Sequence, residues 1–410
     1  MFRRQFFYGW WITASAFAIM SVCGATGVYA FSLFVKPLEA DFHWTRAEIM
    51  LAFAFWSMAS GLSAPFVGKL VDRYGPARVV MVGATIAGAS CLALGFVSQL
   101  WQFYTAYTFL GVSAAATGSV PLSTMVSSWF IKRRGLAIGI MSAGVGVGGM
   151  VFSPLFGGLT IPVLGWRSTY YIAGALVTVV LVPLAGLVMK TRPSDRGLSP
   201  YGALTDIPAP AAGGAISWTA GIGQTIRTKL FWLVAVSFFF GAFSQLGLLQ
   251  NQVPYLSDIG VPVVTAAAAL GAVGLFSTVG KLGVGWLCDR VPAKIVWVAS
   301  LALQAIGTGM LMTLSPESAG WVLWLYAMVV GLGMGGWLPT MSLLVSSNFG
   351  LAAYGATFGA VALMFAGGQA LGPAIAGWIV GATGNYQLVF SMLLAGYLIA
   401  GISVLLVRRR

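Results

Sequence analysis

Charge is the scarcest property of this 410-residue chain, because only 8% of its residues are Asp, Glu, Lys or Arg. Hydrophobic residues make up 59% of it and its mean hydropathy is +0.90, which leaves too little polar surface for a soluble domain of this size. The apolar runs are also longer than the strands of a membrane barrel, which have about ten alternating residues. The composition therefore predicts a helical integral membrane protein.

Groups that could carry out chemistry are almost as rare. Apart from Glu48 at the start of the second run, the apolar runs contain no Asp or Glu, and they contain no histidine cluster and no Ser-His arrangement, so we expect no enzyme and no carboxylate proton relay. A nucleotide-binding loop of the Walker type is missing as well, which argues against ATP-driven transport. No cofactor is expected. The single histidine, His43, falls in a predicted external loop, where a solvated side chain is favoured over a proton relay.

Cysteine offers no framework either. The three cysteines lie in or beside apolar runs rather than as pairs in a loop, so we predict no disulfide for Cys23, Cys91 or Cys288.

Apolar runs of about 20 residues, long enough to cross a bilayer core of about 30 Å, occur twelve times. The first run is too long for a cleavable signal peptide and is expected to remain as helix 1. We number the predicted helices 1 to 12. They lie near 10–35, 47–68, 78–97, 101–128, 136–161, 168–189, 230–256, 263–287, 294–314, 320–345, 354–381 and 386–407.

The net charge of +13 follows membrane topology and does not indicate nucleic-acid binding. If the N-terminus is cytoplasmic, 18 of the 22 Lys and Arg residues fall on the cytoplasmic side, as the positive-inside rule requires. Only Lys36, Arg46 and Arg167 fall outside. We therefore predict a protein of the cell (inner) membrane that has an even number of helices and both termini in the cytoplasm. The cytoplasmic residues are Arg3, Arg4, Lys69, Arg73, Arg78, Lys132, Arg133, Arg134, Lys190, Arg192, Arg196, Arg227, Lys229, Arg290, Lys294 and 408–410.

A polar, proline- and glycine-rich segment at 190–229 separates six predicted helices from six. This divides the chain into an N-terminal bundle (1–189), a cytoplasmic loop (190–229) and a C-terminal bundle (230–410). The halves also repeat. GKLVDRYGPAR follows helix 2 and GWLCDRVPAK follows helix 8, with Asp72 and Asp289 217 residues apart.

A second correspondence, Pro154 and Gly158 with Pro373 and Gly377, has an offset of 219 residues. These offsets predict a duplicated six-helix unit in parallel orientation, with a substrate cavity between the halves. Glycine is abundant on helices 5 and 11, where it would allow either moving or static close packing of helices. The fold class is thus an all-α membrane protein of two six-helix bundles around a central cavity, and one monomer should suffice for function.

One charge lies inside an apolar run, that of Lys281 on helix 8. A buried ammonium costs about 2.5 to 3.5 kcal/mol on insertion scales, so such a residue normally faces a cavity and a partner. Gly274, Ser277 and Gly285 share its helix face at spacings of three and four residues. We predict that Lys281 contacts an anionic substrate. The alternative is that its side chain reaches the cytoplasmic headgroups.

The loop repeat resembles the signature of the major facilitator superfamily between helices 2 and 3. The segments YGWW (8–11), FVKPLEADFHWTRAEI (34–49), WFIKRRGLAIGI (129–140) and GWR (165–167) resemble the monocarboxylate transporters and the oxalate/formate exchangers. This resemblance implies a helix-8 cation that pairs with the substrate carboxylate, at the position of Lys281.

Three departures accompany that resemblance. Animal members carry an aspartate where this chain has Ser277, and a lysine on helix 1 where this chain has Tyr29. The exchangers carry a second cation on helix 11, and none lies between Tyr354 and Gly381 here. A single cation fits a substrate with one carboxylate better than a dicarboxylate.

Further substrate-binding candidates are polar or aromatic residues on helices expected to line the cavity, although each could instead bond a neighbouring helix. They are Tyr29, Thr117, Gln250, Asn251, Trp337 and Gln369, together with Ser277 and Lys281. The resemblance also implies a cytoplasmic gate that ties the inner ends of the halves together. It consists of Asp72, Arg73, Asp289 and Arg290.

The predicted function is secondary or facilitative transport of a small organic anion, with a monocarboxylate such as lactate or pyruvate favoured. A drug exporter, or a carrier of neutral or aromatic compounds, is the alternative. A coupled proton, a counter-anion and uncoupled diffusion all stay open. If protons are coupled, Lys281 is the main candidate, because burial favours the neutral amine and an arriving carboxylate favours the ammonium.

Overall fold

The structure is a computed structural model that describes residues 7–202, 225–315, 320–349 and 354–407, with the side chains of 354–356 excepted. The predicted positions of Arg3, Arg4 and 408–410 and most of the predicted loop, 203–224, lie outside these ranges. Eleven helical stretches are long and apolar enough to cross a membrane. One of them, 134–188, contains two predicted helices, so the described chain has the expected twelve.

The N-terminal six helices have the following bounds. Helix 1 runs from Gly9–Gly24 through a π-helical turn, Ala25–Tyr29, into Phe31–Phe42; helix 2 is Arg46–Tyr74; helix 3 is Pro76–Gly95; helix 4 is Leu100–Thr117 followed by Ser119–Trp129; helix 5 is Arg134–Ser153 with a π-helical end, Pro154–Thr160. Helix 6 lies within Ile161–Leu176 and continues through the π-helical turns Val177–Leu181 and Leu184–Val188.

The second six helices begin after the loop. Helix 7 is Lys229–Asp258, helix 8 Val263–Cys288, helix 9 Ala293–Met312, helix 10 Gly320–Met334 followed by Trp337–Phe349, helix 11 Tyr354–Thr383 and helix 12 Tyr386–Leu405.

Gly165 marks the boundary between helices 5 and 6. Its φ of 82° is a left-handed conformation that favours glycine, and it interrupts an otherwise continuous helical stretch. The chain therefore reverses direction here without a long loop, and the count of helices per half stays at six.

Helices 4 and 10 are both broken near the middle, and the breaks are equivalent in the repeat. Gly118 interrupts helix 4, and Gly335 and Gly336 interrupt helix 10. Each break is followed by a proline three residues later, Pro121 or Pro339, at an offset of 218 residues. Duplication thus extends from the loop signatures to the shapes of the helices.

The two halves meet through the pairs helix 2 with helix 11 and helix 5 with helix 8, which are equivalent in the repeat. Glycine and alanine let these helices approach closely. A Cβ added to Gly274 on helix 8 would come within 2.7 Å of the Gly146 carbonyl on helix 5, and one at Gly61 on helix 2 within 2.7 Å of Ala366 on helix 11.

These contacts extend to only one face of the molecule. Toward the face that carries His43 and Asp258, here called the closed face, Met50 of helix 2 packs on Gly377 of helix 11. Toward the face that carries Asp72 and Asp289, called the open face, the paired helices separate.

The open space around several glycines of the paired helices shows this separation. With its own helix backbone and chain neighbours set aside, a Cβ added at any of them would have no described heavy atom within 4 Å; they are Gly68, Gly135, Gly139 and Gly285. A cleft therefore runs from the open face between the two halves.

Candidate functional site

Helix 8 presents one face to the first half of the molecule. Gly274 contacts the backbone of helix 5, and Thr278 Oγ1 donates a hydrogen bond to the Ala143 carbonyl of that helix at 3.2 Å. Ser277 interacts with the side chain of Tyr29 on helix 1. These three residues close the inner end of the cleft.

Lys281 comes one turn after these contacts and one turn before Gly285, which has open space around it. Side chains four residues apart lie on the same helix face, so Lys281 follows Ser277 on the side that faces the first half. It is half-buried. The described ion pairs use Lys36, Arg46 and Arg167 as their cations, and Lys281 is not among them.

The break in helix 10 lies directly behind Lys281. A Cβ added to Gly335 would fall within 2.3 Å of the Lys281 backbone nitrogen, so only glycine permits this approach. Trp337, which starts the second part of helix 10, stacks on Phe365 of helix 11 with ring centroids 4.6 Å apart. The predicted candidate Trp337 thus packs within the second half, close to the break that supports Lys281.

The π-helical turn of helix 1 supplies the opposite side of the site. Tyr29, at its end, packs its ring on Gly149 of helix 5 and reaches Ser277. The carbonyl of the preceding residue, Val28, accepts a hydrogen bond of 2.9 Å from Gln250 Nε2 on helix 7. Two consecutive residues of helix 1 therefore bind two different helices of the second half.

Helix 7 has three consecutive amide side chains with different partners. Gln250 binds helix 1, Asn251 Nδ2 donates to the Gly247 carbonyl of its own helix at 2.9 Å, and Gln252 Oε1 accepts from Tyr326 at 2.5 Å. Gln250 Oε1 and Asn251 Oδ1 are buried without a hydrogen-bond partner among the described residues. The structure thus brings Gln250, rather than Asn251, to the contact between the halves.

The remaining two candidates lie apart from Lys281. Thr117 is buried at the end of the first part of helix 4, where its hydroxyl donates to the Ser113 carbonyl at 2.9 Å. Gln369 lies on helix 11 and accepts a long hydrogen bond of 3.5 Å from Ser57 of helix 2. Thr117 therefore packs inside the first half, whereas Gln369 belongs to the contact between the halves.

Ion pairs seal the closed face. Glu39 of helix 1 accepts two hydrogen bonds from Arg46 of helix 2, at 2.7 and 3.1 Å, and pairs with Lys36. Asp258, the last residue of helix 7, pairs with both Lys36 and Arg46, and it accepts a hydrogen bond from Tyr386 of helix 12 at 2.6 Å. This group of five residues, the closed-face cluster, joins the two halves.

A second ion pair at the closed face lies entirely in the first half. Asp41 accepts hydrogen bonds from the Trp166 indole and from Arg167, each at 2.8 Å. The Trp166 hydrogen bond and the neighbouring Arg167 hold the pKa of Asp41 below its ordinary value. Arg167 also lies over the Trp166 ring at 4.3 Å. This pair connects helix 1 to helix 6.

The family model of the Major Facilitator Superfamily matches residues 17–373, which is most of the chain. The chain belongs to the major facilitator superfamily. The twelve helices of the described residues, the repeated halves and the cleft between them are the architecture observed above, so the resemblance inferred from the loop signature is confirmed.

Relatives within the superfamily agree with the narrower resemblance. The chain is 26% identical over 401 residues to monocarboxylate transporter 13 of Rattus norvegicus, covering 97% of this chain and 88% of that protein. It is 25% identical over 275 residues to the oxalate:formate antiporter of Oxalobacter formigenes, covering 67% of this chain. That match spans 62% of the antiporter's own length.

Solved structures show the same fold. A variant of the nucleoside transporter NupG superposes with a TM-score of 0.78 at 15% identity, covering 97% of this chain and 99% of that one. A bacterial homologue of the human lysosomal transporter Spinster, in an inward-facing and occupied conformation, gives a TM-score of 0.70 at 15% identity over 98% and 94% of the two chains. These likenesses concern the fold alone.

The predicted gate residues of this superfamily member lie at the open face. Asp72, Arg73, Asp289 and Arg290 are all exposed, and none of them forms an ion pair within the described residues. Asp289 and Arg290 border a cavity of about 400 Å³ between the helix 8–9 loop and helix 10. Because the halves are separated at this face, the gate residues of the two halves can touch only in a state in which this face is closed.

Sequence reasoning missed the ion-pair partners of Lys36 and of Arg46 on helix 2, all of which lie at the closed face. Lys36 and Arg46 were assigned to the outside, but Glu39, Asp258 and Tyr386 were not recognised as their partners. Asp258 and Arg46 are separated by 212 residues, so only the fold joins them. The usable signal was the clustering of rare charges at the ends of helices 1, 2 and 7.

Proposed function

We propose that this chain is a secondary transporter of a small organic anion, most simply a monocarboxylate such as lactate or pyruvate, that works by alternating access. The observation that carries the proposal is Lys281, a half-buried cation without a described acidic partner beside an open cleft. An ammonium in such a place is stabilised by an anion that enters the cleft. One cation suits one carboxylate.

Tyr29 and Ser277 complete the proposed site. The two side chains come from opposite halves and interact one turn from Lys281, so their hydroxyl groups can donate hydrogen bonds to a carboxylate that Lys281 holds. Trp337, Gln250 and Gln369 support the site from the surrounding helices. Asn251 and Thr117 are less suited to binding the substrate, because their side-chain donors form hydrogen bonds to carbonyls of their own helices.

Orientation follows from the basic residues. We propose that the open face is cytoplasmic, since it carries most of the Lys and Arg residues, and that the cell (inner) membrane holds the protein as a monomer. The structure would then represent an inward-facing state, and 1–189 and 230–410 would move as two units joined by 190–229. The relatives' printed names support a carboxylate as the cargo.

The test is counterflow in proteoliposomes against a panel of carboxylates, with wild type, Lys281→Arg and Lys281→Gln. We expect lactate or pyruvate to drive counterflow in wild type, Lys281→Arg to retain part of it, and Lys281→Gln to lose it. Lys229→Gln is the matched control, since it removes an exposed lysine from the open face and should leave counterflow unchanged.

Normal transport by Lys281→Gln would refute the site. Transport of neutral or aromatic compounds that persists in Lys281→Gln, with no response to carboxylates, would instead support the drug-exporter alternative. Coupling needs a separate arm, in which uptake is compared with and without an imposed pH gradient. Uptake that ignores the gradient would reject proton symport and favour exchange or facilitated diffusion.

A further inference from the structure

The carboxylate of Asp258 is held by two cations from the other half of the molecule. Its Oδ1 pairs with Lys36 Nζ, and its Oδ2 lies 3.1 Å from Arg46 Nη1. Each oxygen therefore has its own cationic partner, and both cations lie on helices 1 and 2. Tyr386, which also binds Asp258, comes from the same half as Asp258.

Glu39 fixes the cation side of this arrangement. It accepts from Nε and Nη2 of Arg46 and lies 3.3 Å from Lys36 Nζ. Because Glu39 occupies one edge of the guanidinium, Nη1 stays directed at Asp258. Arg46 is buried, whereas the side chains of Lys36 and Asp258 are about a third exposed, at 35% and 30%. The pair of cations is thus a built site that solvent can reach.

Separation of the halves at this face must remove Asp258 and Tyr386 together. Lys36, Arg46 and Glu39 remain on the first half with a net charge of +1, whereas the complete cluster of these residues with Asp258 is neutral. Two donors that had been paired with a carboxylate then face water at the mouth of the newly opened cleft. Such a positive rim concentrates small anions.

We propose that Lys36 and Arg46 form an outer binding site for a small carboxylate, and that Asp258 takes the place of that carboxylate while this face is closed. The inference rests on the proposed function for its cargo. It adds a second site, since Val263 at the closed-face end of helix 8 is 18 residues from Lys281, about 27 Å of helix. No small carboxylate spans both sites.

Two substitutions separate this proposal from a simple latch. Uptake of radiolabelled L-lactate is measured from each side of oriented proteoliposomes, with Lys36→Gln and Asp258→Asn. If the closed-face cluster only holds the two halves together, both substitutions weaken that contact, and the KM on the closed-face side would move in the same direction in both variants. A carboxylate site predicts opposite directions.

We expect Lys36→Gln to raise the KM on the closed-face side about two- to fivefold, the range of an exposed ion pair, and Asp258→Asn to lower it. The KM on the open-face side should not change in Lys36→Gln. Equal or parallel changes in the two variants on the closed-face side would overturn the proposal.

A binding measurement makes the test independent of transport. Lys36 is the lysine assigned to the outside, so an impermeant amine reagent should label it in Asp258→Asn, and mass spectrometry reads the extent. Sodium lactate should protect Lys36 more than sodium chloride of equal ionic strength, and equal protection would refute the site. Protection without transport of any carboxylate would refute the proposed function and leave this site standing.

Discussion

Thr278 on helix 8 binds the carbonyl of Ala143 on helix 5, with 3.2 Å between Oγ1 and the oxygen. One turn beyond Ala143, Gly139 has open space around it, and the same is true of Gly285 beyond Lys281. The hydrogen bond therefore marks the level at which the two halves stop touching. Lys281 follows it directly, which puts the charged residue at the inner end of the cleft.

The first prediction concerns Gly274. Gly274→Ala would place a Cβ within 2.7 Å of the Gly146 carbonyl, and such overpacking costs about 1 to 3 kcal/mol. The halves can avoid this cost by separating at the closed face, and each 1.4 kcal/mol or so shifts the population about tenfold. We expect faster labelling of Lys36 by an impermeant amine reagent. Gly283→Ala, in open space, is the control, and equal labelling of the two variants would contradict the prediction.

The second prediction concerns the two neighbouring amides of helix 7. Gln250→Leu removes the hydrogen bond to Val28, which is worth about 0.5 to 1.5 kcal/mol, and should speed amide hydrogen exchange in the π-helical turn of helix 1. Gln252→Leu removes a bond to Tyr326 within one half. It should lower the melting temperature without changing exchange in helix 1. If both variants change that exchange equally, Gln250 has no special role between the halves.

The third prediction tests the pair that closes the site. Tyr29→Phe and Ser277→Ala should each raise the KM for carboxylate counterflow, and the double variant should raise it by less than the two single effects combined, because the two side chains also interact with each other. Tyr107→Phe is the control. Its hydroxyl pairs with Tyr170 inside the first half at 2.8 Å, so its loss should reduce stability and leave the KM unchanged. Fully additive effects at Tyr29 and Ser277 would show that they act separately.

The fourth prediction follows from the pKa of Asp41. A lowered pKa means that its carboxylate stabilises the folded state at neutral pH, and that this contribution disappears as the pH falls through the lowered value. Asp41→Asn should therefore melt at a slightly lower temperature than wild type at pH 7, by no more than an exposed ion pair provides, about 0.2 to 1 kcal/mol. The difference should begin to shrink as the pH falls below the ordinary aspartate value of 3.8 and vanish only below the lowered native value. A difference that grows on acidification would contradict this assignment.

The helices were predictable because hydropathy is a local property, and the bounds of Lys229–Asp258 and Val263–Cys288 fall close to the predicted 230–256 and 263–287. Lys281 could be singled out for the same reason, since a charge within an apolar run is visible without a fold. The breaks at Gly118 and Gly336 were not predicted, because an isolated glycine in a helical pattern is tolerated. Only the alignment of the two halves makes them a pair.

Contacts between the halves were out of reach of the sequence. Whether Gln250 binds Val28 or a substrate depends on how two distant helices dock, and an amide side chain satisfies either role. The cluster around Asp258 shows the same limit, as its charges are far apart in the chain. The direction of opening was also not predictable, since one sequence serves every state of the cycle.

Duplication gives Lys281 a counterpart. At the 217-residue offset of the loop signatures, the position equivalent to Lys281 is Ala64 on helix 2. The contacts that precede the two residues start from equivalent positions and reach equivalent helices, with Gly61 on Ala366 of helix 11 and Thr278 on Ala143 of helix 5. If Lys281 binds the substrate as proposed, this difference between equivalent positions predicts a polarity for the bound molecule, with its charged end toward helix 8 and its apolar end toward helix 2.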